Sequence, residues 1–294
     1  MIPPAFEYFR PTSIPEAIAL LQQHGDEAKL LSGGQSLIPM MKLRLARPGF
    51  LIDINSIAGL SYIKEEGGFL KIGGLTREAE LEASPLVQTK YALLMDTATV
   101  IADPQVRNLA TVGGNLAHGD PANDHPATMI AFAAQIVATG AKGERVIPIE
   151  DFFVTLFTTA LKHDEILTEI RIPAPPPPPL KTGGAYLKVE RKVGDFATAA
   201  VAVQLTLDGA GAVQKVGIGL TNVGPTPIKA RKAEDFLRGK KPDAAALAQA
   251  AQLASEQAEP GSDLRGPADY KKGLVKELTK RGLSRALERA GTSK

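Results

Sequence analysis

The first fifty-five residues alternate short apolar runs with polar breaks, a pattern that predicts a small α/β lobe. The sequence S-I-P-E at 13–16 has the form of a capping box. Apolar residues on one helical face follow it, so we expect a helix to about Gly25. The run 29–31 predicts a strand that breaks at S-G-G-Q-S (32–36), after which Pro39 is well placed to begin a helix. Residues 51–54 predict a second strand.

Further along, the pattern predicts a strand over 69–72, a helix over 91–102, strands over 135–139 and 165–172, a hairpin of 197–207 with 213–220, and helices over 244–258 and 270–290. Residues 173–179 have the sequence P-A-P-P-P-P-P, which cannot join a helix or a central strand. This stretch therefore predicts a semi-rigid linker and a domain boundary.

Composition is that of an ordinary globular protein of about two domains. The chain has 294 residues, of which 44% are hydrophobic and 22% charged, and its net charge is +2. No segment carries a basic stripe, so we do not expect nucleic acid as a partner. The N-terminus lacks the pattern of a leader and no window is long enough to span a bilayer, so we expect a cytoplasmic protein.

The chain contains no cysteine. Disulfides, thiolate zinc sites, cysteine-ligated iron–sulfur clusters and cysteine nucleophiles are therefore excluded within it. Any chemistry of these kinds has to lie on a partner.

Two glycine pairs follow apolar sequence and are edged by small polar residues, at 32–36 and at T-V-G-G-N (111–115). Glycine lets successive N–H groups converge on one point and leaves room for a phosphate, so each pair is a candidate anion cradle. A helix that begins after such a turn adds positive potential. Neither a P-loop nor a G-x-G-x-x-G fingerprint occurs. A single pair is weak evidence, and the pairs 73–74 and 183–184 are consistent with turns alone.

The second pair continues into H-G-D-P-A-N-D-H (118–125), whose polar residues admit two interpretations. Histidine and aspartate could bind a metal, but Pro121 and Pro126 predict irregular structure, in which paired histidines lack helical spacing. Alternatively, Asp124 is the N-cap of a helix formed by the apolar run 127–134.

Together, S-G-G-Q-S-L-I-P-M-M-K-L-R-L-A-R-P (32–48) and A-D-P-Q-V-R-N-L-A-T-V-G-G-N-L (102–116) resemble the FAD-binding medium subunit of the molybdenum hydroxylases. That family includes xanthine dehydrogenase and aerobic carbon monoxide dehydrogenase, and the resemblance covers nearly the whole chain. It implies an α+β protein with the FAD-binding fold of the PCMH/VAO type and non-covalent FAD. The expected parts are FAD-binding subdomains at 1–55 and 56–173, the linker at 174–180, and a C-terminal domain at 181–294 with a three-stranded antiparallel sheet and helices.

The resemblance also implies which residues contact the cofactor. These are Leu31, Ser32, Gly33, Gly34, Gln35, Ser36 and Leu37 around the diphosphate; Ala110, Thr111, Gly113, Gly114 and Asn115 in the second loop; Ile101, Ala102, His118, Asn123, Asp124 and Leu161 elsewhere; and Lys188 and Phe196 near the flavin ring. No residue is expected to act as a nucleophile or general base. Orientation and electronic tuning of the flavin are the expected roles of Asp124 and Lys188.

Two positions depart from the pattern of close relatives. Gln35 stands where carbon monoxide dehydrogenases often carry histidine, which weakens carbon monoxide as the expected substrate of the complex. Phe196 stands where some relatives carry tyrosine or tryptophan; it keeps an aromatic face but no hydroxyl, and an ordinary core phenylalanine is the alternative. The absence of cysteine excludes the branch that reduces 4-hydroxybenzoyl-CoA.

The function implied by the resemblance is electron transfer. A large subunit with the molybdenum cofactor would oxidise a small molecule, a small subunit with [2Fe-2S] clusters would relay electrons, and FAD on this chain would pass them to an external acceptor. The complex is expected to be a dimer of heterotrimers, and any membrane association would come through it. Two alternatives stay open: a self-sufficient PCMH-type flavin oxidoreductase, and a phosphate-binding module without redox function.

Overall fold

The structure is a computed structural model that describes residues 2–292. Its strands are β1 (Glu7–Phe9), β2 (Ala28–Leu31), β3 (Phe50–Asp53), β4 (Ile63–Glu66), β5 (Phe69–Gly73), β6 (Gln135–Gly140), β7 (Gly143–Pro148), β8 (Phe153–Thr155), β9 (Thr158–Thr159), β10 (Ile166–Pro173), β11 (Lys181–Val189), β12 (Ala199–Leu207), β13 (Val213–Thr221) and β14 (Ile228–Lys229). Its helices are α1 (Ile14–His24), α2 (Leu37–Lys42), α3 (Glu78–Ala83), α4 (Pro85–Lys90), α5 (Ala92–Val100), α6 (Pro104–Arg107), α7 (Val112–His118), α8 (Asp124–Phe132), α9 (Arg231–Leu237), α10 (Ala244–Gln257) and α11 (Ala268–Thr292). Within the described part of the chain, no helix has both the length and the apolar character needed to cross a bilayer.

The N-terminal lobe is a parallel three-stranded sheet in the order β1-β3-β2, with α1 packed on it. Ser13 caps α1 by accepting a hydrogen bond from the Glu16 amide at 3.4 Å, and Gly25 ends the helix with φ +53°. The Glu16 carboxylate accepts from the Thr12 amide at 2.8 Å, one residue before the position that a capping box requires. The predicted helix is confirmed, but the hydrogen bond to the Glu16 carboxylate comes from the Thr12 amide and not from the amide of the N-cap residue, Ser13.

The strands predicted at 29–31 and 51–54 are β2 and β3. Helix α2 begins at Leu37, so Pro39 lies in its first turn, where a missing amide hydrogen costs nothing. The segment 32–36 therefore leaves the carboxyl end of β2 and leads directly into α2. Loops in this position of a parallel sheet commonly form ligand sites.

The middle of the chain forms an antiparallel five-stranded sheet in the order β4-β5-β10-β6-β7. The three strands predicted from sequence are its central strands β5, β10 and β6, and the predicted helix is α5. The edge strands β4 and β7 were missed because most of their residues are exposed, which leaves no apolar alternation to recognise.

The prediction of irregular structure over 118–125 is confirmed for residues 119–123, which lie in no helix or strand, and is wrong at both ends of the segment. His118 is the last residue of α7, and α8 begins at Asp124 with Pro126 in its first turn. Proline is tolerated there because the first-turn amides have no intrahelical acceptor. Asn123 occupies the N-cap position, so the N-cap role considered for Asp124 is also wrong.

The C-terminal sheet is antiparallel, in the order β11-β12-β13-β14. The predicted hairpin is β12 and β13, and the predicted helices are α10 and α11; the two-residue β14 makes a fourth strand where three were expected. Alternate residues of β12 enter different cores: Val201 packs with α10 and α11, whereas Ala200 packs in the core that contains α5 and α8. Burial on both faces explains the unbroken apolar run of this strand. Pro173, expected outside any central strand, is the last residue of β10 and pairs with Phe69 of β5, so that part of the expectation is wrong. Residues 174–180 connect β10 to β11, and the domain boundaries stay predictions.

The glycine pair at 183–184 lies inside β11 and is not a turn, whereas the pair at 73–74 begins a turn in which the Thr76 amide donates to the Gly73 carbonyl at 3.0 Å. Gly73 ends β5, and a Cβ there would overlap the Leu60 carbonyl; a Cβ on Gly183, inside β11, would overlap the Ala286 carbonyl of α11. Both positions require glycine because another backbone element passes directly against them.

Candidate functional site

The two glycine-rich segments predicted to bind phosphate lie against each other; we call them loop 1 (32–36) and loop 2 (111–115). The hydroxyl oxygens of Ser32 and Thr111 are 3.1 Å apart. A Cβ on Gly33 would lie 2.5 Å from the Leu109 carbonyl oxygen and 2.7 Å from the Ala110 Cα. Only a residue without a side chain allows this approach, so Gly33 is what permits the two loops to lie in contact.

The loops differ in the hydrogen bonds that they can offer a ligand. In loop 2, the Gly113 amide donates to the Gly74 carbonyl at 3.2 Å and the Gly114 amide to Thr111 Oγ1 at 3.1 Å. In loop 1, the amides of Gly34 and Gln35 have no acceptor among residues 2–292. Loop 1 is therefore the loop with amide N–H groups available to a ligand. The expectation that both loops present such amides is wrong for Gly113 and Gly114 of loop 2.

Two residues that sequence reasoning missed brace the loops. Asn55 donates from Nδ2 to the Ser32 carbonyl at 2.9 Å, and Arg77 donates from Nη2 to Asn55 Oδ1 at 2.6 Å. The other terminal nitrogen of Arg77 donates to the carbonyl of Leu109, next to loop 2. These contacts join residues far apart in sequence, so no local sequence pattern predicts them.

Both loops line a cleft with a volume of about 930 Å³. The predicted contact residues that line it are Leu31, Ser32, Gly33, Gly34, Gln35, Ser36, Leu37, Ile101, Ala102, Ala110, Thr111, Gly113, Gly114, Asn115, His118, Asn123, Asp124, Leu161 and Phe196. Residues from four separated stretches of the chain thus meet at one site. Lys188 is the exception, because it does not line the cleft.

Lys188 lies behind Asp124 and is almost fully buried. Its Nζ donates to Asp124 Oδ2 at 3.0 Å and to the Val100 carbonyl at 3.1 Å, and it lies 3.2 Å from Glu190. Tyr186 donates its hydroxyl to the other oxygen of Asp124 at 2.6 Å. The lysine therefore acts on the cleft through the Asp124 carboxylate, which it holds in place.

Burial dominates the electrostatics of this cluster. It raises the pKa of Asp124, although Lys188 and Tyr186 both favour the ionised carboxylate. Burial, followed by the charge of Asp124 and its hydrogen bond, raises the pKa of Tyr186 well above its usual value. Tyr186 therefore stays a neutral hydrogen-bond donor at any ordinary pH.

Aromatic rings mark the outer part of the cleft. Phe196 lines it and is 46% exposed, so the alternative of a core phenylalanine is wrong. His118 and Phe157 have ring centroids 5.2 Å apart, and Phe157 was not predicted because it comes from the turn between β8 and β9. Burial lowers the pKa of His118, which favours the neutral imidazole.

The metal alternative at 118–125 finds no support in the side-chain geometry. His125 Nε2 lies 2.8 Å from Glu78 Oε2 in a fully buried pair, whereas Asp124 is held by Tyr186 and Lys188. Among residues 2–292, no group of three or more histidine, cysteine, aspartate or glutamate side chains is placed to hold a metal ion.

The cleft also has lining residues that sequence reasoning did not find. They include Met40, Leu45, Arg47, Phe157, Lys162 and Glu165. Met40, Leu45 and Arg47 lie within the motif quoted above for the family resemblance, and that motif was the one available signal.

Comparison with known proteins extends the similarity over both parts of the chain. Residues 4–175 match the family described as "FAD binding domain in molybdopterin dehydrogenase", and residues 184–286 match the "CO dehydrogenase flavoprotein C-terminal domain". The carbon monoxide dehydrogenase medium chain of Hydrogenophaga pseudoflava is 48% identical over 98% of this chain and 99% of its own length. That of Afipia carboxidovorans is 44% identical over 99% of both.

A solved structure of carbon monoxide dehydrogenase from Hydrogenophaga pseudoflava, lacking the Mo-pyranopterin moiety of its molybdenum cofactor, has the same fold. One of its chains matches with a TM-score of 0.95 and 49% identity, covering 99% of this chain and 100% of that one. Fold and sequence therefore agree along the whole length.

Proposed function

The chain belongs to the family of FAD-binding subunits of molybdopterin dehydrogenases, which includes the carbon monoxide dehydrogenase medium chains, and on this premise we propose its role. We infer that it is the electron-transfer subunit of a molybdenum hydroxylase complex, taking electrons from partner [2Fe-2S] clusters and passing them to an external acceptor. The observation that carries the proposal is the cleft, where separate motifs of the family meet around loop 1.

The residues of the cleft fit FAD. A volume of about 930 Å³ lies near the upper end of the range for small-molecule sites, roughly 300–1,000 Å³, as an extended dinucleotide requires. Loop 1 offers amides without an intramolecular acceptor, which suits a diphosphate. Asn115 lines the cleft, and its Oδ1 is buried with no hydrogen-bond partner among residues 2–292. A buried amide oxygen of this kind needs a ligand donor.

The two loops and Asp124 have different roles in holding FAD. Loop 1 binds the diphosphate, and loop 2 sets the position of loop 1 through Gly33 and Thr111. Asp124, held by Tyr186 and Lys188, presents a fixed carboxylate to the bound cofactor. FAD, when bound, supplies the capacity to store and release electrons, while the protein binds and orients it.

The partners follow from the family resemblance and from the chain's lack of cysteine. A large molybdopterin-binding subunit and a small [2Fe-2S] subunit would hold the other redox centres. Assembly as a dimer of heterotrimers and a cytoplasmic location stay predictions. The molecule oxidised by the complex is set by a pocket on another chain.

The test compares the full chain alone with the assembled complex. Acid release should yield FAD, and the substrate of the complex should bleach the flavin absorbance only when both partner subunits are present. Turnover by the chain alone would favour the self-sufficient oxidoreductase. Released FMN, or a colourless protein after incubation with excess FAD, would overturn the proposal.

A further inference from the structure

A second cavity lies where helix α8 ends against the C-terminal sheet. Its volume is about 440 Å³, within the range of roughly 300–1,000 Å³ for small-molecule sites. None of its lining residues among 2–292 also lines the cleft around loops 1 and 2. We call it the linker cavity, because residues 173–176 of the proline-rich stretch form part of its wall.

The floor of the linker cavity is one face of the C-terminal sheet, which turns polar where α8 no longer covers it. Gly217 lies directly under α8, since a Cβ there would overlap the Ala131 carbonyl. Gln204 pairs with Gly217 across β12 and β13, and Thr206 pairs with Lys215. Alternate residues of a strand share a face, so these polar side chains continue the face on which Gly217 meets the helix.

The lining residues bring positive charge and no negative charge into the linker cavity. Among the described residues that line it, Lys90 and Lys215 are present but no aspartate or glutamate. The Nζ of Lys90 lies 2.7 Å from the Glu65 carboxylate, which offsets its charge. Lys215 forms no ion pair with any residue in 2–292. Its charge is therefore available to an anionic ligand.

Thr206 places a hydroxyl opposite this cation. The residue is only 8% exposed, and its Oγ1 has no hydrogen-bond partner among residues 2–292. Gln204, by contrast, donates to Thr182 Oγ1 at 3.2 Å. Buried hydroxyl groups are normally hydrogen-bonded. Side chains directly opposite each other in an antiparallel pair have Cβ atoms about 5 Å apart, so Thr206 and Lys215 can both reach one carboxylate.

Aromatic and proline side chains supply the apolar walls. Tyr91 and Phe132 both line the linker cavity, and their ring centroids are 6.4 Å apart with an edge-to-face angle of 64°. The Tyr91 hydroxyl already donates to Glu65 at 2.8 Å. These rings, with Leu180 and the prolines of 173–176, form a surface that suits a flat apolar group.

We propose that the linker cavity binds a small organic acid with a flat aromatic body, its carboxylate on Lys215 and Thr206 and its rings against Phe132 and the prolines. A purely apolar ligand would leave the polar floor without hydrogen bonds, which costs free energy. An inorganic anion would leave the apolar walls in contact with water. The inference goes beyond the proposed electron-transfer function and does not rest on it, because the two sites share no lining residue within 2–292.

The experiment uses the full chain with FAD in excess, so that the cleft around loops 1 and 2 is occupied. The probe is 2-naphthoate, and 2-naphthamide offers the same rings without the charge. Isothermal titration calorimetry measures the Kd of each for the unmodified chain, Lys215→Met and Thr206→Val. Lys181→Met is the matched control, because Lys181 is an exposed residue at the start of β11 that does not line the linker cavity.

We expect one 2-naphthoate per chain, and 2-naphthamide should bind about five- to tenfold more weakly. Lys215→Met and Thr206→Val should each weaken 2-naphthoate binding by about threefold or more, whereas Lys181→Met should not change it. Higher ionic strength should weaken the binding of the acid and not of the amide.

Equal affinity of acid and amide on the unmodified chain would overturn the inference without recourse to any variant. So would the absence of 2-naphthoate binding, displacement of FAD by the probe, or inorganic phosphate binding as tightly as 2-naphthoate. Unchanged 2-naphthoate affinity of folded Lys215→Met and Thr206→Val would exclude the linker cavity as the site. None of these results bears on the FAD content of the chain, which tests the proposed function separately.

Discussion

Replacing Gly33 by alanine should separate the two loops and weaken FAD binding. The added methyl would lie 2.5 Å from the Leu109 carbonyl oxygen, 2.7 Å from the Ala110 Cα and 3.0 Å from the Thr111 nitrogen. All three atoms belong to the backbone, so no side-chain rotation relieves the overlap. Ordinary contact begins near 3.4 Å, so loop 1 has to withdraw by about 0.9 Å.

That displacement exceeds the tolerance of about 0.5 Å within which a binding group keeps its geometry. A hydrogen bond to a charged group is worth about 1.5–3 kcal/mol. Loss of one bond from the loop 1 amides to the diphosphate should therefore raise the Kd for FAD by roughly 10- to 150-fold. The overpacking itself costs about 1–3 kcal/mol of folding free energy, which a domain of this size tolerates.

Quenching of flavin fluorescence measures the Kd, and far-ultraviolet circular dichroism verifies that the variant is folded. Gly273→Ala is the control, because a Cβ at this position in α11 meets nothing within 4 Å. Gly73 cannot serve as a control, since a Cβ there would overlap the Leu60 carbonyl. If Gly33→Ala binds FAD as tightly as the unmodified chain, or if Gly273→Ala loses equal affinity, the reasoning about loop contact is wrong.

Two further predictions concern buried charges. Lys188→Met leaves the Asp124 carboxylate buried without its cation and should lower the free energy of unfolding, measured in urea, by about 3–5 kcal/mol. Adding Asp124→Asn should recover part of this loss. A loss below about 1 kcal/mol for Lys188→Met would contradict a stabilising ion pair. Hydrogen bonds from Arg145 hold the pKa of Glu165 below its usual value near 4.5. Since the folded pKa is the lower one, this contribution to stability is present above about pH 4.5 and is lost as the pH falls through the folded pKa. Acid unfolding of Arg145→Met should therefore depend less steeply on pH in that range, and an identical profile would refute the assignment.

Local patterns in the sequence were sufficient for the long elements. The polar start of α1, the long apolar runs in β12 and β13, and the alanine- and leucine-rich periodicity of α10 and α11 each identify their own element. The helices are buried on one face, whereas most residues of the two strands are buried on both faces. Short elements were missed or misplaced. Pro126 suggested irregular structure, although a proline in the first turn of α8 is compatible with a helix.

The candidate site also combines residues that sequence motifs indicate with contacts that only the folded structure shows. Composition and glycine pairs alone left several kinds of site open, and the family motifs indicated nineteen positions that the structure gathers in one cleft. The bracing of the loops by Asn55 and Arg77, and the position of Lys188 behind Asp124, depend on residues brought together from distant parts of the chain. No spacing rule along the sequence encodes such contacts.

The sequence by itself determined the family, the long helices and strands, and the absence of any cysteine-based redox centre in this chain, because each of these is written in residue identity or short-range periodicity. Only the tertiary structure decided which loop keeps free amide donors, which glycines separate crossing backbones, and which charges reach the cleft directly. Those properties depend on distances of a few ångströms between segments as far apart as loop 1 and loop 2, and such distances exist only once the chain has folded.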